Sequence, residues 1–395
     1  VHATHPSDAE LVVVAARRTT FEAVLRRAVL RRPEVRLTAG ARATGLVVEP
    51  RRGRAGDPGG TVPLVRGVAL EDGTVLRARL VVDATGRRTA MPGWLADHGV
   101  RLSEHRTDCG IAYLTRFYRR AFGAPELPLE RGFTSGGSFD RYSCLVFPGD
   151  AGTFSVTFGV LPEDRAMRGL MDGAAFDAAV RSIPSLAPWV DPGHAEPLSG
   201  VRMMAGLANR LRRATDPAGR PAVLGWVAVG DAAATTNPAH SRGCTLGPVH
   251  AVGVAAAVSA HRDVGDLAEA CAAVVEREQR PWVADSIEQD RQRLARWRPG
   301  GPGPLDLPGA VDRSAPALGR LTNGETYLAA QHDAYVWRRF TRLQQLFERP
   351  DDVLADRRVV ARVRAVQAAR CPAVGLEGPS RDELVGLLAA REAVA

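Results

Sequence analysis

Two short stretches of the same form decide the fold. The first reads LVVDATGRRT over residues 80–89, and the second reads VAVGDAAA over residues 227–234. In each, an apolar run typical of a buried parallel strand ends near an aspartate, followed by small residues. Open α/β sheets bind their ligands beyond the carboxyl ends of such strands. The two aspartates, Asp83 and Asp231, therefore stand where a carboxylate can accept hydrogen bonds from ribose or ribityl hydroxyls.

The second stretch leads into a predicted helix rich in glycine and alanine. Asn237 and Pro238 follow it, and we expect the helix to begin at about Gly243. Glycine destabilises a helix, so its repeated use at a helix start suggests a close approach of another group to the backbone. The free N–H groups and the positive dipole end of this helix favour an anionic or electron-rich ligand.

Together these segments resemble the second and third fingerprints of FAD-dependent monooxygenases of the p-hydroxybenzoate-hydroxylase-like type, in the same order along the chain. The resemblance implies that Asp231 binds the ribityl chain of FAD and that the loop 238–243 lies along the isoalloxazine. The region around Arg18 also resembles a helix start that carries arginine in this family. The candidate cofactor-binding residues are Asp83, Gly86, Gly230, Asp231, Pro238, Gly243 and Arg18.

Each candidate has a structural alternative. Asp83 with Gly86 is also the pattern of a plain strand-to-helix turn with an N-cap. Arg18 is also a typical solvated helix residue. His240 and His250 flank the loop and are candidate proton carriers, although an isolated histidine is more often structural. No catalytic residue is assigned.

The first fingerprint of the family, the GxGxxG turn that holds the FAD pyrophosphate, is absent from the sequence. The resemblance implies that the strand–GxGxxG–helix unit belongs before Val1. We therefore expect the FAD-binding domain of this chain to be N-terminally truncated.

The predicted fold class is α/β (α+β). It combines an incomplete Rossmann-like FAD-binding domain with an inserted, mostly antiparallel substrate sheet and C-terminal helices. The expected domains are a partial FAD-binding domain over 1–108, a substrate-binding sheet over 109–215, a return to the FAD-binding domain over 216–262, and a helical region over 263–395.

Hydrophobic periodicity predicts the individual elements. A helix begins at Thr20 and ends at Pro33, and a loop covers 299–308. Aromatic side chains of the inserted sheet are expected to form its core rather than to contact substrate. The predicted strands cover 35–37, 46–49, 62–70, 75–82, 111–118, 142–147, 153–160 and 224–229.

The chain contains no lysine, so all 52 basic residues are arginine. This excludes Schiff-base lysines, P-loop nucleotide hydrolysis and the kinase strand lysine. Flavin-dependent halogenases resemble the same family and rely on an active-site lysine, so the composition disfavours halogenation. Oxidation that a cofactor carries out needs no such side chain.

The net charge of +8 raises nucleic acid or a membrane surface as partners. Arginines are interleaved with 44 acidic residues, and lysine, isoleucine and asparagine are all scarce, which indicates coding bias instead. We expect a small-molecule substrate and no nucleic acid. The weakly polar run 246–260 is too short to span a bilayer, and five dispersed cysteines suggest neither disulfides nor a metal site. A cytoplasmic protein is the simplest interpretation.

The sequence therefore predicts an FAD-dependent oxidoreductase. The favoured activity is an NAD(P)H-dependent monooxygenase that hydroxylates a small aromatic or polyketide-like molecule. Three alternatives stay open: a flavin-dependent reductase or dehydrogenase of the geranylgeranyl-reductase type, a truncated non-catalytic remnant, and an arginine-rich nucleic-acid binder.

Overall fold

A computed structural model describes residues 3–52, 61–129, 134–298, 300–301, 320–371 and 376–392. Both helices and strands are present, which confirms the predicted α/β class. The strands are β1 Ala43–Arg52, β2 Thr61–Leu70, β3 Val75–Arg77, β4 Val81–Asp83, β5 Ser103–Asp108, β6 Ala112–Arg120, β7 Ser135–Ser138, β8 Ser143–Pro148, β9 Thr153–Val160, β10 Ala195–Pro197, β11 Arg202–Met204, β12 Ala208–Arg213, β13 Trp226–Ala228 and β14 Ala234–Thr235.

The helices are of ordinary length, and short 3-10 turns lie between them. They are α1 Arg18–Leu30, α2 Met91–Ala96, α3 Gly173–Arg181, α4 Gly243–Ala260, α5 Val264–Glu278, α6 Arg280–Trp297, α7 Asn323–Ala330, α8 Ala334–Gln344, α9 Pro350–Leu354, α10 Arg357–Ala368 and α11 Arg381–Glu392. Most of the predicted loop 299–308 lies outside the described residues.

The chain divides into two compact units. One, called the sheet unit, comprises 1–35, 110–207 and 289–395, and the other, called the motif unit, comprises 36–109 and 208–288. Residues 1–35 and 263–288 thus group differently from the expected domain division, which stays a prediction.

The motif unit carries both strand–aspartate stretches. Its strands β1, β2 and β3 form an antiparallel meander, while β4 and β13 pair in parallel. One face of the parallel pair is covered by α4 and α5, with Val227 packed against Val254 and Leu267. The opposite face carries Trp226 and Val81 into a separate core.

The sheet unit is built on an antiparallel sheet of order β10-β6-β9-β8-β7, with β11 also paired to β6. Its buried face packs against α3 and α11. Tyr142, Phe154 and Phe158 lie in that core, so the prediction that sheet aromatics form core is confirmed for them. Phe147 is only partly buried. The helices α7 to α10 pack together around Val336, Leu343, Val353, Val359 and Val363, all fully buried.

Two strand predictions were wrong. Residues 35–37 form no strand, and Val35 and Leu37 are largely exposed. Residues 75–82 form two strands instead of one, because the chain leaves β2 after Arg77 and joins β13 at Val81. Val82, expected to be buried in a parallel sheet, is 49% exposed.

Helix α4 is apolar on all sides. It has 18 residues with a mean hydropathy of 1.4, and 22% of these residues are buried. By length and composition it is the single helix among the described residues that could cross a membrane, which is weak evidence because core helices meet the same test. The expectation that this run is too short considered only residues 246–260.

Candidate functional site

The two strand–aspartate stretches lie side by side. Strand β4 pairs with β13 in parallel, with Asp83 opposite Ala228. The N–H of Val229 donates to the carbonyl of Asp83 at 2.9 Å, which extends the pairing to the ends of both strands. The carboxyl ends of the two strands therefore form one edge, where ligands of such sheets bind.

Beyond β13, the chain turns back onto the start of α4. Gly230 opens a 3-10 turn with φ of +57°, a conformation that other residues adopt only with strain. A Cβ on Gly243 would lie 3.9 Å from Oδ1 of Asp231. The structure therefore brings Gly230, Asp231 and Gly243 together, with the Asp231 side chain on the exposed surface.

The first turn of α4 has no side-chain cap. Its N-cap residue, Arg242, makes no side-chain hydrogen bond to that turn, and Gly243 and Cys244 are exposed. The first N–H groups of a helix have no partner within the helix. Here the N–H of Thr245 donates to the carbonyl of Arg242 at 3.0 Å, and those of Gly243 and Cys244 precede it at the helix start. Pro238 lies before them, in the exposed part of a 3-10 turn, Pro238–His240.

Asp83 differs from Asp231 although the two motifs look alike. It is 1% exposed, and its carboxylate accepts from the N–H and hydroxyl of Thr85, at 2.9 and 2.6 Å, and from the hydroxyl of Thr89 at 2.7 Å. These three hydrogen bonds all come from the turn that follows β4. Gly86 lies in that turn with φ of +82° and open space where a Cβ would stand. This arrangement gives Asp83 a role in shaping the turn. It agrees with the alternative of a plain turn after the strand, but Asp83 is not the N-cap of a helix.

Arg18 belongs to the sheet unit, whereas the other candidate residues belong to the motif unit. It is exposed and pairs with Glu22 at 3.4 Å, as a solvated helix residue does. The better anchored neighbour is Arg17, whose guanidinium and backbone N–H all donate to Asp150. The cofactor-binding role of Arg18 stays a prediction.

The histidines are placed differently by the fold. His250 is fully buried on the inner face of α4, and burial lowers its pKa to about 4, with Glu278 opposing the shift in part. A neutral, buried imidazole at neutral pH favours the structural interpretation over a proton carrier. His240 closes the 3-10 turn before α4 and is partly exposed.

Sequence reasoning missed a set of buried polar residues that hold the loop before α4. They are Asn209, Asn237, Arg242, Asp285 and Ser286, each no more than 2% exposed. One signal was available, because asparagine occurs only three times in the chain and two of the three lie here. The partners of Asn237 come from β12 and α6, which no local pattern reveals.

A cavity of about 1090 Å³ lies elsewhere in the motif unit. Its walls come from the hairpin 214–223, from β13 and from one side of α5. None of the predicted cofactor residues lines it, so cavity size and sequence motif point to different places. The motif edge is the candidate site because it places the exposed carboxylate of Asp231 beside a helix start that has no side-chain cap, at the carboxyl ends of two parallel strands.

Comparison with known proteins gave one curated relative and several solved structures. No family model matches the chain. Protein Rv3254 of Mycobacterium tuberculosis is 31% identical over 247 residues, which cover 57% of this chain and 48% of that protein. The chain thus spans about half the length of this relative.

The solved structures are similar at low identity. PqsL of Pseudomonas aeruginosa, a probable FAD-dependent monooxygenase, is 20% identical, covering 69% of this chain and 71% of PqsL with a TM-score of 0.48. The p-nitrophenol 4-monooxygenase PnpA of Pseudomonas putida is 13% identical, covering 90% and 71%, with a TM-score of 0.49. The flavin-dependent brominase Bmp2 is 15% identical, covering 96% and 76%, with a TM-score of 0.45.

Proposed function

We propose that this chain is part of an FAD-dependent oxidoreductase, and that the edge formed by β4, β13 and the start of α4 binds the flavin. The observation that carries the proposal is the position of Asp231. Its exposed carboxylate lies beside Gly243 at an uncapped helix start, and the end of β4 adjoins on the neighbouring strand. A carboxylate next to the backbone N–H groups of a helix start suits a ligand that has both hydroxyl donors and carbonyl acceptors.

The residues present fit one half of the cofactor. The ribityl chain offers hydroxyl donors to Asp231, and the isoalloxazine offers acceptors to the first turn of α4. The pyrophosphate half finds no GxGxxG turn in this sequence. A bound flavin would supply the redox chemistry, which in a monooxygenase is the reduction of oxygen at the expense of NAD(P)H. The chain's own residues bind and orient it.

The open face of the antiparallel sheet supports an aromatic or polyketide-like substrate. Phe117, Ser155 and Phe147 align across β6, β9 and β8, on the face opposite the buried core. Phe117 is 38% exposed and Phe147 is partly buried. A flat face with aromatic side chains suits a planar, mostly apolar molecule.

The test measures flavin binding by the full chain, with quenching of flavin fluorescence as the signal. Riboflavin is the sharper probe, because it contains only the ribityl and isoalloxazine parts that these residues address. We expect riboflavin and FAD to bind with dissociation constants within about tenfold of each other, and Asp231→Asn to weaken both by at least about tenfold. Asp97→Asn, which changes another exposed aspartate of the motif unit, should bind as the wild type does. No quenching by either flavin would refute the proposal.

The type of oxidoreductase is tested once binding is established. A monooxygenase consumes oxygen as NADH or NADPH is oxidised, and does so faster with an aromatic substrate present. Reduction of a double bond without oxygen uptake would favour the geranylgeranyl-reductase type instead. Bound flavin without NAD(P)H oxidation would favour the non-catalytic alternative.

A further inference from the structure

The loop 237–242, between β14 and α4, is fixed at its first residue by a closed triangle of hydrogen bonds. The N–H of Asn237 donates to Oδ1 of Asn209 at 2.9 Å and to the Ser286 hydroxyl at 3.1 Å. That hydroxyl donates in turn to Oδ1 of Asn209 at 2.6 Å. All three residues are fully buried. Loss of any one of these hydrogen bonds would leave a buried polar group with one partner fewer, which costs free energy. The positions of the three groups are therefore strongly determined.

The last residue of the loop is fixed by a buried ion pair. Nη2 of Arg242 lies 2.7 Å from Oδ2 of Asp285, and the two side chains are 0% and 1% exposed. The guanidinium also stacks on Trp282 at 4.9 Å from the ring centroid. Burying two charges adds little net stability, because desolvation offsets most of their attraction. A buried pair at this position is better explained by the geometry that it imposes.

Each anchor includes one of two consecutive residues of the same helix. Asp285 and Ser286 lie in α6 and hold opposite ends of the loop. Between the anchors, Pro238, Ala239 and Ser241 are exposed, and Ser241 has φ of +52°, a strained conformation for a residue other than glycine. An exposed loop that keeps a strained residue between two buried anchors is held in one shape by its surroundings.

We infer that Asn209, Ser286 and Asp285 are positioning residues, which hold the loop 237–242 in its ligand-binding shape before the flavin arrives. This rests on the proposed function. They touch no ligand themselves. Their effect is to aim the first N–H groups of α4 at the space beside Asp231, so that binding does not have to order the loop. Preorganisation of this kind raises affinity by removing an ordering cost.

The first arm of the test uses no flavin. Hydrogen exchange is measured by mass spectrometry on a peptide covering 234–243 in the flavin-free chain. We expect at least about tenfold faster exchange in Ser286→Ala and in Asn209→Ala than in the wild type. Ser259→Ala removes an exposed hydroxyl from α4 and should leave the exchange of this peptide unchanged. Unchanged exchange in both loop variants would overturn the inference, whatever the chain binds.

The second arm measures binding and the spectrum of the bound flavin. We expect Ser286→Ala to weaken riboflavin binding by about tenfold and to alter the visible absorption bands. The double variant Arg242→Met with Asp285→Leu replaces the ion pair by apolar side chains of similar size, so it keeps the packing while removing the fixed geometry. Faster loop exchange with unchanged affinity and spectrum would refute the positioning role. A wild-type chain that binds no flavin would refute the proposed function, and the exchange arm would still decide whether these residues hold the loop.

Discussion

The buried His250 makes a quantitative prediction about stability in acid. Its side chain is fully buried, and among the described residues neither ring nitrogen has a hydrogen-bond partner. Burial lowers its pKa from 6.5 to about 4. In the folded state His250 therefore stays neutral over a pH range, below 6.5, in which the unfolded chain binds a proton at this residue. Stability is then highest above the unfolded pKa and falls as the pH drops from there towards the folded pKa.

The magnitude follows from the two pKa values. Linkage gives a loss of on the order of 2 kcal/mol at about pH 5, and of about 3 kcal/mol once the pH is below both values. Replacing His250 by leucine removes the titration and two unpartnered polar atoms. We expect the leucine variant to match or exceed the wild type in stability at about pH 7.5, since an unsatisfied buried polar group is destabilising.

Urea unfolding followed by far-ultraviolet circular dichroism, at about pH 7.5 and about pH 5, measures the effect. The difference in unfolding free energy between His250→Leu and the wild type should grow by about 2 kcal/mol on acidification. His98→Leu, at an exposed position of the same unit, should change with pH as the wild type does. A His250→Leu difference that stays constant over this range would refute the reasoning.

Three further predictions concern stability. Gly225→Ala should destabilise the chain by at least about 3 kcal/mol in urea unfolding, because its Cβ would lie 2.2 Å from the carbonyl oxygen of Val65. Gly219→Ala has a similar positive φ but open space and should cost only about 1 kcal/mol. Asp150→Ala removes the ion pair that anchors the start of α1, a helix with no buried residue, so limited proteolysis should cut α1 faster with little change in thermal midpoint. Asp83→Ala should cost about 2–3 kcal/mol, because three donors lose a charged acceptor; unchanged unfolding would contradict its role in the turn.

The elements that could be predicted from the sequence are those with a local cause. The alternation of apolar residues located β2 and β9 to within about two residues, the usual precision of such boundaries. The helix predicted from Thr20 begins at Arg18 and ends before Pro33. The apolar runs before Asp83 and Asp231 predicted parallel strands, and β4 and β13 do pair in parallel, although their pairing with each other was not predicted.

The elements that could not be predicted depend on distant partners. The break at residues 78–80 has no glycine or proline to mark it, and arises because Ala78 still donates to Arg66 whereas Val81 donates to Gly225. The triangle around Asn237 joins residues 28 and 49 positions away. Such contacts are properties of the packed fold, and a reading of propensity along the chain does not contain them.

The two motifs of one form have different surroundings for a local reason. After an apolar strand, an aspartate is drawn either inwards by nearby hydroxyl donors or outwards to solvent. Thr85 and Thr89 follow Asp83 at two and six positions and reach its carboxylate, whereas Asp231 is followed by three alanines, which have no side-chain donor. The hydroxyl donors that follow Asp83 therefore accompany a buried carboxylate, whereas the Asp231 side chain is exposed. On the proposed function, we therefore expect flavin binding to depend on Asp231 and on the loop that Asn209, Ser286 and Asp285 hold, and we expect Asp83 to act through the shape of the adjoining strand end.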